Sequence, residues 1–489
     1  MNTPLRRVGL AMMAMFLLLL GNATYVQVIK GDDYRKDPLN DRVILEQYSR
    51  ERGQIIASDG TPLAAVQKTD DRLEYLRTYS NGPVFAPVTG YFSWIYGAGG
   101  MERAEDDLLN GSDDRLFTRR VSDLITGRDP KGGSLQLTID AKLQQAAFDQ
   151  LQSQDVTGTV VAIRPQTGEI LAMASTPSYD PNVLASHDAE AQEEAWKAFD
   201  ADPGKPTLNR AVHENYPPGS TFKLVVAAAA LAEGKTKDSQ VDGRPVITLP
   251  GTNTPLPNFN DTNCGNGVTA TLEEALAKSC NTAFAVLANE LGADKLRDQA
   301  AKFGIGEQDL TIPLSVVPST LGPISDTPSL YQTGIGQKDV RVTPLANAMV
   351  AATIANGGVR MQPHLVGKIL APDLQTISET KPDEVDEAMD ADQAAVLRDM
   401  MIASENNTSG GGKLRNVTIA SKTGTAEHGE DVGSTNPHAW YVAFAPAEKP
   451  EIAIAVIVEN GGQQGLSATG GRVAAPIGRA VIGAYLGGR

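Results

Sequence analysis

Residues Val8 to Ile29 form an apolar run that follows Arg6 and Arg7 and is interrupted by Asn22, Thr24 and Gln27. About 20 apolar residues suffice for a helix to cross the hydrocarbon core, and flanking Lys and Arg stay on the cytoplasmic side. The run predicts a transmembrane signal-anchor over 8–29, with residues 1–7 as a cytoplasmic tail and the rest of the chain outside the cytoplasm at the cell membrane. Gly21-Asn22-Ala23 loosely offers a small-x-small cleavage pattern, so removal as a signal peptide is the competing outcome. No second run is long enough to span a bilayer, and the remainder is expected to fold as globular structure.

With 489 residues the chain exceeds the roughly 250 to 300 residues at which single cores stop growing, so two domains are expected. A net charge of −16 without a basic cluster disfavours a nucleic-acid partner. Within the first part, Arg52 to Ala64 reads as strand, Asp59-Gly60 turn, strand. The turn formers from Thr126 to Gly133 mark a boundary, which gives a smaller domain over 31–130 and a larger one over 131–489. In the larger part, Leu135–Asp140 precedes a helix from Ala141 to Leu151 capped by Asp140. Gly158–Ile163 and Ile170–Ala174 read as two strands joined by a tight loop, and Val417–Ala420, Ala439–Phe444 and Ile452–Val458 as three more strands, with a closing helix over Gly471–Leu486. Strands from both ends around a mostly helical middle make the fold class α+β.

Chemistry concentrates in three short segments. In Tyr216-Pro217-Pro218-Gly219-Ser220-Thr221-Phe222-Lys223 the prolines and Gly219 hold the chain out of helix until Ser220 opens one. A serine there lies near free N–H groups and the positive end of the helix dipole, and Lys223 on the same face can reach its oxygen as a base. The lysine needs a lowered pKa for that role, which burial beside another cation supplies. Taken alone, the pattern reads rather as an N-cap serine with a solvated lysine, since Ser-x-x-Lys occurs by chance in many proteins. Ser279-Cys280-Asn281 lies in the helical middle, and Lys422-Thr423-Gly424-Thr425 ends the strand from Val417 to Ser421. A glycine there lets a substrate backbone run beside a strand edge. The order and separation of all three make accident improbable.

These segments resemble the S-x-x-K, S-x-N and K-T-G motifs of the penicillin-binding protein family. The likeness extends to Arg52–Ala64, Leu137–Asp140, Ser175–Asn182, Gly336-Gln337, Val342–Leu345 and Ile354–Gly358, and so to nearly the whole chain. It is strongest to the class B, monofunctional group and to an actinobacterial member of it. No glycosyltransferase domain fits between the anchor and Leu135. The resemblance implies a dimerisation-like domain over 31–130 and, over 131–489, a transpeptidase domain similar to serine β-lactamases, an antiparallel sheet flanked by helices. It implies Ser220 as nucleophile, Lys223 as its base, Ser279 as proton relay, and Asn281 binding the substrate amide and positioning Lys223. Lys422, Thr423 and Thr425 would hold the substrate carboxylate, with Gly424 beside them, and the N–H groups of Ser220 and Thr425 would form the oxyanion hole. The implied activity is peptidoglycan D,D-transpeptidation of stem peptides with a D-Ala-D-Ala donor and a diamino acid acceptor, inhibited by β-lactams. It needs no cofactor or metal. A membrane glycosyltransferase of the shape, elongation, division and sporulation group is the implied partner.

Other readings fare less well. A Ser-His-Asp hydrolase has His213 upstream of Ser220 but no G-x-S-x-G elbow. A metal site on His428, His438 and the cysteines lacks any ligand spacing, although His428 follows Thr425 closely enough to lie near the cleft. A β-lactamase needs a dedicated base for water, and no glutamate in a recognisable motif offers one. A D,D-carboxypeptidase or endopeptidase uses the same residues and stays open. A β-lactam-binding scaffold or sensor is opposed by the intact set of site residues and by the shortness of the expected cytoplasmic tail.

Cys264 and Cys280 are the two cysteines of the chain. An even number in an oxidising compartment points to a disulfide, here tying the glycine-rich Asn260–Gly267 loop to the rim of the site. The alternative is a small buried thiol at Cys280 with Cys264 free.

Overall fold

The computed structural model describes residues 2–31, 34, 48–117, 119, 125–127, 129, 131–310, 312–429 and 434–487. Met1 of the expected tail, residues 32–33 and 35–47 of the expected first domain, and Arg128 and Pro130 of the turn-rich boundary lie outside the described residues. Helix α1 (Asn2–Thr24) continues through a π-helical turn at Tyr25–Ile29, and none of its apolar window is buried in protein. It is the one helix among the described residues long and apolar enough to cross a membrane, a property that an anchor and a signal sequence share.

The strands β1 (Ile55–Ile56) and β2 (Pro62–Lys68) pair antiparallel around Asp59-Gly60. Gly60 takes φ +87°, and the Asp59 carboxylate accepts the N–H of Thr61 at 3.0 Å. Strand β3 (Tyr75–Tyr79) extends the sheet beyond β2, and β4 (Ser134–Leu137) pairs parallel with β1. Two later strands, Val366–Leu370 and Thr376–Glu379, complete six strands on the far side of β4. This sheet thus draws on both sides of the turn-rich segment near residue 130. Close backbone approach explains the glycines at that junction: a Cβ on Gly53 would lie 1.7 Å from the carbonyl oxygen of Gly133.

Behind the first hairpin lies a buried charge cluster. Glu102 receives Arg52 Nε at 2.7 Å and Arg77 Nε at 2.6 Å, while Arg52 also reaches Asp106 and stacks 4.0 Å over the Phe92 ring. Burial opposes the Glu102 charge, but the two guanidinium groups outweigh it and hold the carboxyl below its ordinary range.

Beyond this sheet comes α2 (Ala141–Ser153), whose N-terminus is capped by the Asp140 carboxylate accepting from Lys142 and Leu143. Strands β5 (Gly158–Ile163) and β6 (Ile170–Thr176) follow as an antiparallel pair. The middle holds α3 (Lys223–Ala232), α4 (Asn281–Leu291) and α5 (Ala391–Asn407). Then come β7 (Ala420–Ala426), β8 (His438–Ala445), β9 (Ile452–Val458) and the closing helix α6 (Gly470–Gly487). Five strands form a wholly antiparallel sheet in the order β7-β8-β9-β5-β6. All of β9 is buried, as its unbroken Ile-Ala-Val run requires. Helix α3 is buried nearly throughout, which its apolar sequence on every face also requires.

One boundary departs from expectation. Lys422–Thr425 sits within β7 rather than at a strand end, because the strand starts at Ala420 and runs to Ala426. The reason lies opposite: pairing begins at Ala420↔Phe444, and Pro446 just beyond β8 has no N–H to extend the ladder toward Val417.

Replacing Glu102 by Ala should leave two buried guanidinium groups uncompensated and cost about 3–5 kcal/mol in chemical denaturation. Replacing Glu193 by Ala, which removes its exposed contact with Lys197, should cost about 1 kcal/mol or less. Equal effects of the two changes would contradict the buried network.

Candidate active site

From Tyr216 to Leu231 every residue is buried except Ser220. The serine lies in a 3-10 turn, Gly219–Phe222, that feeds α3. Such a turn eclipses residues three apart, so Ser220 and Lys223 fall on one side. Backbone contacts lock the turn. Trp440 Nε1 donates to Pro217 O at 3.0 Å, Thr221 Oγ1 to Pro218 O at 2.9 Å, and Asn347 Nδ2 to Thr221 Oγ1 at 3.0 Å. Gly219 N–H donates to Gly336 O at 2.9 Å, and Gly336, at φ +70°, leaves room for the Gly219 carbonyl, which a Cβ would approach to 2.1 Å. Gly424 serves this packing: a Cβ there would lie 2.8 Å from Pro218 O and 3.1 Å from the Thr221 methyl. Its missing side chain accommodates the Ser220 turn, where the sequence had suggested a path for substrate.

Lys223 and Lys422 are both buried and converge on Ser279. Lys223 Nζ donates to Ser279 O at 2.8 Å and Asn281 Oδ1 at 2.8 Å, with Ser279 Oγ at 3.4 Å. Lys422 Nζ donates to Ser279 Oγ at 2.7 Å and to Thr423 O at 3.0 Å. Among the described residues, no hydrogen bond joins Lys223 Nζ to Ser220 Oγ, so the amine the sequence aimed at Ser220 is held by the Ser279–Asn281 turn. Burial, and then the neighbouring charge of Lys422, hold the Lys223 amine well below the ordinary lysine range. Burial alone pushes Lys422 down to about 7. Along otherwise buried β7, Thr423 and Thr425 are partly exposed, and Thr425 Oγ1 accepts the Gly470 N–H at 3.4 Å.

Ser279 stands at φ +61°, a left-handed conformation that costs a non-glycine residue roughly 1–2 kcal/mol. It links the helix Leu272–Ala277 to α4, and its neighbour Cys280 is bonded to Cys264 with Cα atoms 6.3 Å apart. The same loop is gripped again where Asn281 Nδ2 donates to Pro257 O at 2.9 Å and Thr282 N–H to Asn258 Oδ1 at 3.1 Å.

Several supports were not visible in sequence. Behind β7, Glu405 accepts Arg479 Nε at 2.8 Å and the Tyr441 hydroxyl at 3.1 Å, and it meets Ser421. Arg479, set among apolar residues of the closing helix, was a usable signal for a buried partner. His428 stacks on His438 with ring centroids 3.9 Å apart. Burial, His428 and Arg341 push His438 down to about 3. His213 ends the short helix Arg210–His213 and is exposed.

Residues 158–483 match the model of the penicillin binding protein transpeptidase domain, and residues 52–135 that of the penicillin binding protein A dimerisation domain. The chain belongs to the class B penicillin-binding proteins. Peptidoglycan D,D-transpeptidase PbpA of Mycolicibacterium smegmatis is 53% identical over 99% of each chain. The Mycobacterium tuberculosis protein of the same name is 52% identical over 100% of each. The structure of penicillin-binding protein A from M. tuberculosis as a ceftriaxone acyl-enzyme superposes with a TM-score of 0.88 at 52% identity, covering 90% of this chain and 100% of that one. Its penicillin G acyl-enzyme superposes with a TM-score of 0.86 at 52% identity, again over 90% and 100%. This penicillin-binding protein is therefore a homologue of enzymes that β-lactams acylate.

The disulfide that anchors the Ser279 turn gives a direct test. A Cys264→Ala, Cys280→Ala double variant should lose about 3 kcal/mol of stability by loop-closure entropy and react more slowly with penicillin. Thermal unfolding and acylation rates indistinguishable from the oxidised wild type would contradict this role.

Proposed function

We propose that this chain is a single-pass, membrane-anchored D,D-transpeptidase that joins peptidoglycan stem peptides through an acyl-Ser220 intermediate. The observation that carries the reading is the buried Lys223 amine, held by Ser279 and Asn281 beside the accessible Ser220.

Neutral Lys223 takes the Ser220 proton as Oγ bonds to the carbonyl carbon of the penultimate D-alanine. The developing oxyanion meets the N–H groups of Ser220 and Thr425, each worth about 3–4 kcal/mol in comparable sites. Ser279 relays that proton from Lys223 to the departing D-alanine amine as the C–N bond breaks. The amine of an acceptor diamino acid then attacks the ester, returns a proton to Ser220, and leaves the cross-linking amide. Lys422, Thr423 and Thr425 hold the donor carboxylate, for which a cation is required. Asn281 receives the donor amide and keeps Lys223 in place. The open edge of β7 accepts the donor main chain as an added strand.

Helix α1 is the anchor in this reading, with the bulk of the chain outside the cytoplasm. The division near residue 130 separates a dimerisation-like domain from the transpeptidase domain. Likeness to class B proteins also supports a membrane glycosyltransferase of the shape, elongation, division and sporulation group as partner.

Intact mass after mixing with penicillin should show one adduct, located on Ser220 and persisting for many minutes, and Ser220→Ala should show none. Incubation with a D-Ala-D-Ala donor and an amine acceptor should yield the new amide; hydrolysed donor alone would mark a carboxypeptidase.

The lysines also set a pH dependence. Acylation needs Lys223 neutral and Lys422 charged, so the second-order acylation constant should fall as pH rises through about 7. Lys422→Arg, charged at every accessible pH, should abolish that fall. An unchanged alkaline limb in the variant would show that Lys422 does not set it.

A further inference from the structure

Strand β7 is the outermost strand of its sheet. N–H and C=O groups alternate between the two edges of a strand, so Thr423, Thr425 and Glu427 share one edge. That edge faces the nucleophile turn: the Thr425 carbonyl oxygen lies against Gly219, only 2.8 Å from where a Cβ would stand.

The side-chain amide of Gln337 sits on this edge. In the orientation that satisfies both groups, its nitrogen donates to Glu427 O at 3.2 Å and its oxygen accepts the Glu427 N–H at 3.2 Å. A primary amide offers one donor and one acceptor side by side, which is what a residue of a neighbouring strand offers. Gln337 is also fixed to the nucleophile turn, because its neighbour Gly336 receives the Gly219 N–H at 2.9 Å and its own N–H donates to Gln332 O at 3.1 Å. Gln337 therefore occupies the next pairing position after Thr425.

The donor's direction gives that position a meaning, and this step rests on the reading above. With the carboxylate at Lys422 and Thr423 and the reacting carbonyl at Ser220 and Thr425, the donor chain runs toward Glu427. Its first amide beyond the reacting residue meets Thr425, and the following residue would pair at Glu427. We propose that Gln337 is a specificity-determining residue that ends the donor-binding edge of β7, so that the donor main chain leaves the sheet after Thr425. The diamino acid residue before the reacting D-alanine is then free of strand pairing and is read by its side chain. The same plug covers a strand edge that would otherwise invite unwanted pairing.

Two thioester donors separate the possibilities in the full-length protein in detergent: N-acetyl-D-alanyl-thioglycolate, and the same molecule extended by Nα,Nε-diacetyl-lysine in place of the acetyl group. The thioglycolate carboxylate stands for that of the leaving D-alanine. Gln337→Ala opens the Glu427 pair to the longer donor, so the ratio of kcat/KM for long over short donor should rise about threefold to tenfold, the worth of one or two hydrogen bonds. Gln337→Glu fills the same space but cannot donate to Glu427 O, and should raise the ratio by a smaller factor. Penicillin labelling and thermal unfolding establish that each variant is folded, and if Gln337→Ala is not, the ratio in Gln337→Glu decides. An unchanged ratio, or an equal loss with both donors as a merely structural role would give, overturns the proposal. Absence of turnover of either donor by the wild type would overturn the transpeptidase reading along with it.

Discussion

The Lys223 amine has no access to solvent, and it answers that burial with hydrogen bonds to two carbonyl oxygens, Ser279 O and Asn281 Oδ1. A charged ammonium there would lose hydration worth several kcal/mol, and the neighbouring Lys422 would add repulsion. Burial therefore favours the neutral amine, which is the form that the base role proposed for Lys223 needs. Much of the surrounding architecture serves to keep the amine buried. Helix α3 is apolar on every face, so its first residue enters the core with it. The Ser279 turn supplies acceptors that satisfy the amine without neutralising it through a carboxylate, which would instead favour the charge.

That chemistry tolerates little displacement, and the supports are correspondingly stiff. The Ser220 turn is fixed by backbone contacts at positions where a Cβ cannot fit, at Gly219, Gly336 and Gly424. Strand β7 is held from behind by Glu405, which joins α5, β7, β8 and α6 through Ser421, Tyr441 and Arg479. Alternation along the sheet separates these tasks. Lys422 and Gly424, with Trp440 opposite, lie on the face toward Ser220, while Ser421 and Tyr441 lie on the face toward α6.

Much of this was legible in the residues themselves. The apolar first helix, the Asp59-Gly60 hairpin, the Asp140 cap and the antiparallel strands follow from local periodicity and turn chemistry, which need no knowledge of distant partners. Site motifs were legible as spacing, but their mutual geometry was not. Ser-x-x-Lys spacing suggests a direct Ser220–Lys223 contact, whereas the amine is claimed by a turn more than fifty residues away. Gly424 looked like room for substrate and proved to be room for the Ser220 turn. The extent of β7 is not legible from its own residues because Pro446, just beyond the end of β8, interrupts the pairing toward Val417. Glu405 carries no local signature, and Gly336-Gln337 stood out only as part of the family likeness, since the roles of both side chains exist only once distant strands and helices are packed together.

A site-resolved titration of Lys223 tests the central claim most directly. Carbon and nitrogen NMR of the lysine Cε and Nζ, with the Lys223 signal assigned by its loss in Lys223→Arg, reports the protonation of that one amine in the folded protein. The account predicts a midpoint well below the ordinary lysine value of about 10.4. A midpoint at or above that value would mean the amine is charged at neutral pH, and Lys223 would then have no part as the base.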